Sequence, residues 1–133
     1  MAITEYIPQR VPFVMVDQLV LSNDTTAKSK YTIPADNVLL NGNLLSSAGI
    51  LENVAQTAAA WIGSIAYAKN EPIRIGYIGA VKKMEIYRLP HIGEELSTQI
   101  DIIATAFDIS LVHGIVRVYD ELISEMYLKI ALQ

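Results

Sequence analysis

The stretch SAGILENVAQTAAAWIGSIAYA, Ser47–Ala68, decides the fold of this chain. Its residues are apolar almost all the way round a helical wheel, which is typical of a helix buried on most of its surface. Such a helix is roughly 30 Å long, enough to run through a small domain. Ser46 or Ser47 can cap its first turn, and Asn70 followed by Pro72 ends it. The sequence therefore predicts one long central helix.

The polar side chains of this helix share one arc. If Glu52 is placed at zero on a wheel of about 100° per residue, Gln56 falls at about 40° and Thr57 at about 140°. Burying a carboxylate costs free energy unless the group is paired with another charge or takes part in catalysis. Glu52 is therefore the candidate catalytic residue. An ordinary polar edge that faces solvent or a subunit seam is the alternative. The remaining polar and small positions of this arc are Asn53, Ala60, Gly63 and Ser64.

The composition excludes several classes of function. With 133 residues the chain is long enough for one domain, spanning 1–133, and too short for two. Its net charge of -4 argues against nucleic acid as a partner. The absence of cysteine excludes disulfides and thiolate chemistry, and two isolated histidines do not make a metal site. We therefore expect no metal or other cofactor.

We expect a cytoplasmic protein rather than an exported or membrane protein. Near its N-terminus the sequence has the acidic Glu5 and an early Pro8, where a signal peptide needs a basic and then an apolar segment. The central helix carries Glu52, Asn53 and Gln56 in its N-terminal half, which favours a core helix over a membrane span. The lack of cysteine is compatible with the cytoplasm.

Strand patterns surround the helix. Pro8 and Pro12 allow only short regular structure in residues 1–13. Strands are predicted at 14–22 and 28–33 before the helix, and after it at 74–88, at 94–107 and in a hairpin closing around Asp120 and Glu121. The class is therefore α+β, with an antiparallel sheet of five to six strands that buries the helix by curling around it. This arrangement is the hotdog fold.

Three motifs resemble those of the 3-hydroxyacyl-acyl-carrier-protein dehydratases, a hotdog family. PQRVPFVMVDQLV at 8–20 is similar to their P-H-R-x-P-F-L-L-V-D-R-V opening, and SAGILENVAQTAA at 47–59 to their G-V-L-I-I-E-A-M-A-Q-A-A helix. KMEIYRLPHIGEEL at 83–96 is similar to their K-x-R-F-R-R-P-V-x-P-G-D-x-L segment. The resemblance implies that Glu52 is the catalytic carboxylate, that Gln56 is the family's glutamine, and that active sites form between two subunits.

The loop before the helix departs from that family. The dehydratases carry there a histidine that removes the α-proton of the thioester, whereas PADNVLLNGNLL at 34–45 has none, and Gln9 replaces the histidine of the opening motif. A short loop of this kind is similar to that of the divergent dehydratase-like proteins of aryl polyene and related polyketide-type clusters. Dehydration needs a base at the α-carbon, an acid at the departing hydroxyl and donors for the thioester oxygen. One proton carrier is therefore missing.

Other residues do not replace this histidine. His91 follows Pro90 in a turn, where a solvated side chain is usual. His113 lies on the strand face opposite the valines that should meet the helix. Ser46 and Ser47 are caps rather than nucleophiles, because no histidine or lysine is placed to activate them.

The sequence predicts an acyl-thioester processing protein of fatty acid or polyketide biosynthesis, with its substrate carried on acyl carrier protein or coenzyme A. One version is an enzyme, a hydro-lyase or a hotdog thioesterase, in which Glu52 moves a proton or activates a water. The other version is a non-catalytic acyl-binding subunit of a hetero-oligomeric dehydratase whose partner carries the histidine. The residues expected to bind substrate are Asn41, Asn43, Asn53, Gln56, Ala60 and Gly63.

Further expectations concern assembly and the acyl chain. A lone sheet has exposed edges, so we predict a homodimer, or an oligomer of dimers, whose sheets join edge to edge near Glu52. A second hotdog subunit is the other expected partner. Ala60 and Gly63 predict a tunnel for the acyl chain along the polar arc, and tight packing is the alternative. A candidate basic patch for an acidic carrier protein, with solvated charges as the alternative, is formed by Lys82, Lys83 and Arg88.

Overall fold

The computed structural model describes residues 2–132 and is built around the predicted helix. This helix, α1, spans Ser47–Ala68, the bounds that the sequence predicts. Ser46 caps its first turn, because Ser46 Oγ accepts a hydrogen bond from the backbone N–H of Gly49. Just after the helix Asn70 adopts a left-handed conformation (φ 54°), which Asn tolerates better than most residues. No helix within residues 2–132 has the length and apolarity needed to cross a membrane.

A six-stranded antiparallel sheet packs against α1. The strands of the molecule are Gln18–Ser22 (β1), Thr26–Thr32 (β2), Leu40–Asn41 (β3), Leu44–Leu45 (β4), Gly76–Ile86 (β5), Glu95–Ala106 (β6), Ile109–Val118 (β7) and Glu121–Leu132 (β8). The order in the large sheet is β1-β2-β6-β7-β8-β5, so β1 and β5 are its two edges. β3 and β4 form a separate short hairpin before the helix. The four strands predicted after the helix are therefore confirmed.

The apolar strand faces predicted from alternation meet the helix. Fully burying one Val, Leu or Ile side chain contributes about 1.5–3 kcal/mol, so their shared core is the main source of stability. The core members contributed by α1 and by β6 to β8 include Ile50, Val54, Ala58, Trp61, Leu96, Ile100, Val112, Val116, Met126 and Leu128.

The first strand begins later than the alternation predicts. A strand is expected from residue 14, but β1 begins at Gln18. The reason lies at Met15. Its backbone makes hydrogen bonds with side chains of the helix and not with the backbone of a neighbouring strand. Its N–H donates to Gln56 Oε1 (2.6 Å), and its carbonyl oxygen accepts from Asn53 Nδ2 (2.7 Å). We call residues 2–17 the arm, because this segment lies across the helix rather than in the sheet.

Candidate active site

Glu52 lies in the second turn of α1, and its side chain is partly buried. Its Oε1 accepts a hydrogen bond from Gln56 Nε2 (2.9 Å), one helical turn later. The second carboxylate oxygen, Oε2, makes no hydrogen bond with residues 2–132. Glu52 also lines a cavity of about 150 Å³, which we call the Glu52 cavity. One amide therefore orients the carboxylate and leaves an oxygen for a ligand.

The Glu52 cavity combines two polar side chains with apolar walls. Glu52 and Gln9, a residue of the arm, contribute its polar side chains. Helix α1 and strands β5 and β8 contribute apolar walls, which include Ala55, Ala59, Ile62, Ile78 and Ile130. Apolar pockets with a few polar groups are typical of small-molecule sites. This composition suits a ligand with an apolar chain and a polar group near Glu52.

A second cavity, which we call the distal cavity, lies next to the Glu52 cavity, toward the C-terminal end of α1. It measures about 170 Å³ and shares Ile62 and Ile130 with the Glu52 cavity. Its other lining residues are Trp61, Ile65, Ser110 and Leu132. Two neighbouring cavities therefore lie along the helix from Glu52, and Ile62 and Ile130 stand between them.

The sequence analysis did not predict these two cavities, although a signal was present. Ala59 and Ile62 lie within about 80° of Glu52 on a helical wheel, on the side away from Gln56. Ala55 and Ala59 are small and stand on the same face as the carboxylate. The prediction instead placed the tunnel on the polar arc, beside Ala60 and Gly63.

The amides of Asn53 and Gln56 bind the arm. Gln56 Nε2 donates to the carbonyl oxygen of Phe13 (2.8 Å), in addition to Glu52, and both Gln56 and Asn53 bond Met15. Asn53 Oδ1 accepts from Thr98 Oγ1 on β6 (2.6 Å). Both amides are buried. They have a structural role that the sequence did not predict, and Gln56 joins the arm to Glu52.

The structure contradicts the tunnel predicted beside Ala60 and Gly63. A Cβ built on Gly63 would overlap the carbonyl oxygen of Tyr6 and come within 2.9 Å of its Cα. Ala60 is buried in a small cluster with Ile7 and Val16 of the arm. The small side chains therefore allow close approach of the arm backbone, and they leave no space for an acyl chain at this position.

Asn41 and Asn43 are exposed on the β3–β4 hairpin. The backbone carbonyl of Asn43 accepts a hydrogen bond from the N–H of Ile92 (2.9 Å). Neither asparagine is among the residues that line the Glu52 cavity. The structure therefore does not bring these two predicted substrate-binding residues together with Glu52.

The two histidines lie outside the Glu52 cavity, as predicted. The exposed ring of His91 is bonded through Nδ1 to the carbonyl oxygen of Ile92 (2.8 Å). The ring of His113 stacks on Tyr127 with 4.7 Å between centroids, on the sheet face away from the helix. Within residues 2–132 no group of acidic or histidine side chains is arranged to hold a metal ion.

Arg88, one of the three residues of the predicted basic patch, is paired with acidic side chains. Arg88 binds Glu94 (2.8 Å) and Glu121 (3.0 Å), so its charge is neutralised within the molecule. Lys82 instead lies beside Lys129, and their hydrogen bond and like charge lower the pKa of Lys82. The remaining positive charge lies along the exposed part of β5 and β8.

The sequence of residues 1–119 matches the profile of the ApeP-like family, which is described as ApeP dehydratase. The chain belongs to this family. Membership confirms the resemblance to divergent dehydratase-like proteins and supports a role in acyl-thioester processing. No functionally curated protein matches the sequence at a significant level.

Solved structures similar to this ApeP-like chain share its fold. A chain of the dehydratase heterocomplex ApeI:P from Xenorhabdus doucetiae is 18% identical, with a TM-score of 0.86 over 100% of this chain and 91% of that one. A hypothetical thioesterase from Streptococcus pneumoniae, solved with coenzyme A, is 5% identical with a TM-score of 0.70, covering 87% and 84% of the two chains. The E. coli PaaI protein is 11% identical with a TM-score of 0.70, covering 86% and 81%. The predicted hotdog fold is confirmed.

Proposed function

We propose that this chain is the acyl-binding subunit of a two-chain hotdog dehydratase, in which it supplies Glu52 and a second hotdog subunit supplies the histidine. One observation carries the proposal: Glu52, whose Oε2 makes no hydrogen bond within residues 2–132, lines a cavity that no histidine of these residues lines. The carboxylate and the two cavities beside it lie in this chain, and no histidine within residues 2–132 lines either cavity.

The chemistry divides between the two subunits. The partner's histidine removes the α-proton of a 3-hydroxyacyl thioester. Glu52 gives a proton to the hydroxyl group as the carbon–oxygen bond breaks, so that water leaves and a 2-enoyl thioester remains. Backbone N–H groups at the start of α1 are donors of the kind that stabilises a thioester oxygen.

Edge strand β5 is the surface that we propose for the partner. Ile78 lies on this strand, is partly exposed and lines the Glu52 cavity. Val81 on the same strand and Ile73 and Ile75 just before it are also exposed apolar residues. A partner strand added at this edge would cover them and would bring its own residues next to Glu52. The similar ApeI:P structure is itself described as a heterocomplex.

The test compares the chain alone with the chain mixed with a hotdog protein from the same gene cluster that has the loop histidine. Formation of 2-enoyl product is followed by mass spectrometry from 3-hydroxyacyl thioesters of acyl carrier protein and of coenzyme A. We expect turnover only in the mixture. Glu52→Gln should keep the fold, because its amide oxygen can still accept from Gln56, and should reduce turnover by about 10²–10⁴-fold. Glu71→Gln, an exposed position, is the control.

Three outcomes contradict the proposal in different ways. Full dehydration by the chain alone would make it a complete enzyme, active as a homodimer. Release of the free thiol without dehydration would make it a thioesterase, a reaction that the coenzyme A-bound structural neighbour brings into consideration. An active mixture that contains Glu52→Gln would remove the carboxylate from the mechanism.

A further inference from the structure

The side-chain oxygen of Gln9 is buried without a hydrogen-bond partner. This atom, Oε1, is the one buried side-chain nitrogen or oxygen within residues 2–132 that has no such partner. An acceptor removed from water without a partner costs stability, so such groups are rare in folded proteins and need a reason. Gln9 also stands where the dehydratase-like opening motif has a histidine.

The backbone around Gln9 is held firmly. Arg10 Nη1 donates to the carbonyl oxygens of Ile7 (2.7 Å) and of Gln9 itself (2.8 Å). The N–H of Phe13 donates to the carbonyl oxygen of Arg10 (2.8 Å), which closes a turn. These bonds fix the backbone of the turn from which the Gln9 side chain extends.

The side chain lines two adjoining spaces. One is the Glu52 cavity, which Gln9 shares with the carboxylate. The other is a cavity of about 280 Å³ between the arm and residues 73–76, and it shares Ala59 and Gly76 with the first. Gln9 therefore lies on the wall that the two cavities share and lines the same cavity as Glu52.

We propose that Gln9 Oε1 accepts a hydrogen bond from the 3-hydroxyl group of the acyl thioester, an inference that rests on the proposed function. A departing hydroxyl group must receive a proton on its oxygen, and its own hydrogen must meanwhile have an acceptor. The amide oxygen of Gln9 is such an acceptor and has no proton to give. It holds the hydroxyl so that the oxygen lone pairs face Glu52.

The dehydration step then balances within the site. The partner's base takes the α-proton, and the electron pair of that bond forms the carbon–carbon double bond. The bond from the β-carbon to the hydroxyl oxygen breaks, and the proton from Glu52 joins the hydroxyl to give water. Gln9 neither gains nor loses a proton, so it is a substrate-binding residue that aligns the leaving group.

The test replaces Gln9 with Met, which has a similar length and no hydrogen-bonding amide. Binding to the full chain is measured by calorimetry for two pantetheine thioesters of equal chain length, one 3-hydroxyacyl and one saturated. We expect the Gln9→Met variant to bind the 3-hydroxyacyl ligand roughly five- to tenfold more weakly and the saturated ligand with unchanged Kd. The unfolding midpoint should rise, because an unpaired buried acceptor is removed.

Thr4→Val is the matched control. Thr4 lines the larger cavity beside the arm but not the Glu52 cavity, so both affinities should stay unchanged. Equal weakening of both ligands by Gln9→Met would assign the contact to the pantetheine amides and overturn the hydroxyl assignment. Unchanged affinities, or a lower unfolding midpoint, would overturn it as well. If neither thioester binds the unaltered chain, the proposed function fails first and this inference fails with it.

Discussion

Gln56 connects two parts of the molecule with one side chain. Its oxygen accepts from the N–H of Met15, and its nitrogen donates to Phe13 and to Glu52. The arm and the carboxylate are therefore fixed by the same amide. Gln56, which resembles the family's glutamine, is therefore hydrogen-bonded both to Glu52 and to the backbone of the arm.

Gln56→Leu should lower the free energy of unfolding by about 3 kcal/mol, because it leaves the buried N–H of Met15 and the carbonyl of Phe13 without partners. Denaturant unfolding measures the change. Gln18→Leu on an exposed position of β1 is the control and should change the stability by less than about 0.5 kcal/mol. A loss below about 1 kcal/mol for Gln56→Leu would show that the arm does not depend on this amide.

Arg88 and Glu94 form an ion pair that predicts a pH dependence. Hydrogen bonds from Arg88 hold the pKa of Glu94 below its ordinary value of 4.5, against the opposing effect of burial. A carboxyl whose folded-state pKa is lowered stabilises the fold fully above its unfolded-state pKa and loses that contribution as the pH falls through the folded-state pKa. The difference in unfolding free energy between the unaltered chain and Glu94→Gln should therefore be present at pH 6 and shrink toward pH 3. A difference that is constant across this range would contradict the pairing.

At the scale of elements, the arm rests on α1 because Gly63 has no side chain. Gly63→Ala should force the backbone of Tyr6 away and destabilise the chain by about 1–3 kcal/mol, as overpacking does. Gly79→Ala on β5 is the matched control, because the nearest atom to its added Cβ is 3.9 Å away. Thermal unfolding compares the two variants. Equal midpoints would show that the arm can move without cost.

The junction between the two cavities predicts a control of chain length. Ile62→Ala widens the space between the Glu52 cavity and the distal cavity, so longer acyl chains should gain about tenfold in kcat/KM relative to short ones in the active complex. Ile65→Ala is the control, because Ile65 lines the distal cavity alone and leaves the junction closed. An unchanged ratio for Ile62→Ala would show that acyl chains do not pass this point.

The same elements show how far the sequence could predict the structure. The bounds of α1 and the inward faces of β6 to β8 follow from local patterns of apolar residues, and the structure confirms them. The course of the arm depends on hydrogen bonds from Asn53 and Gln56 to a backbone about 40 residues away, and no local pattern encodes such bonds. The sequence left both a tunnel and tight packing open at Gly63, because a small residue has the same signature whether it makes room for a ligand or for backbone.

At the scale of the whole molecule, the edge strand β5 is irregular. Its pairing with β8 shifts register between Ile78 and Ala80 and again between Lys82 and Glu85. Lys83, inside the second shift, has a left-handed backbone (φ 52°). Bulges twist an edge and restrict the strands that can pair with it. These bulges therefore restrict which strands can add to this edge of the sheet.

Val81→Glu should weaken assembly through β5, because it places a charge on an exposed apolar position between the two bulges. Analytical ultracentrifugation at micromolar concentration, with and without the second hotdog subunit, should show smaller species for this variant. Val20→Glu on the opposite edge, β1, is the control and should leave assembly unchanged. An unaltered chain that sediments as a monomer in both conditions would contradict the predicted assembly.

The bonds between α1 and the arm also have a consequence for the order of events in folding. Gln56 meets Met15 and Phe13 across separations of 41 and 43 residues, so a long loop must close before these bonds form. Asn53 and Gln56 stand on one side together only after the helix has wound. The arm is therefore synthesised before its binding site exists, and we expect it to dock late, when the helix and sheet have already met.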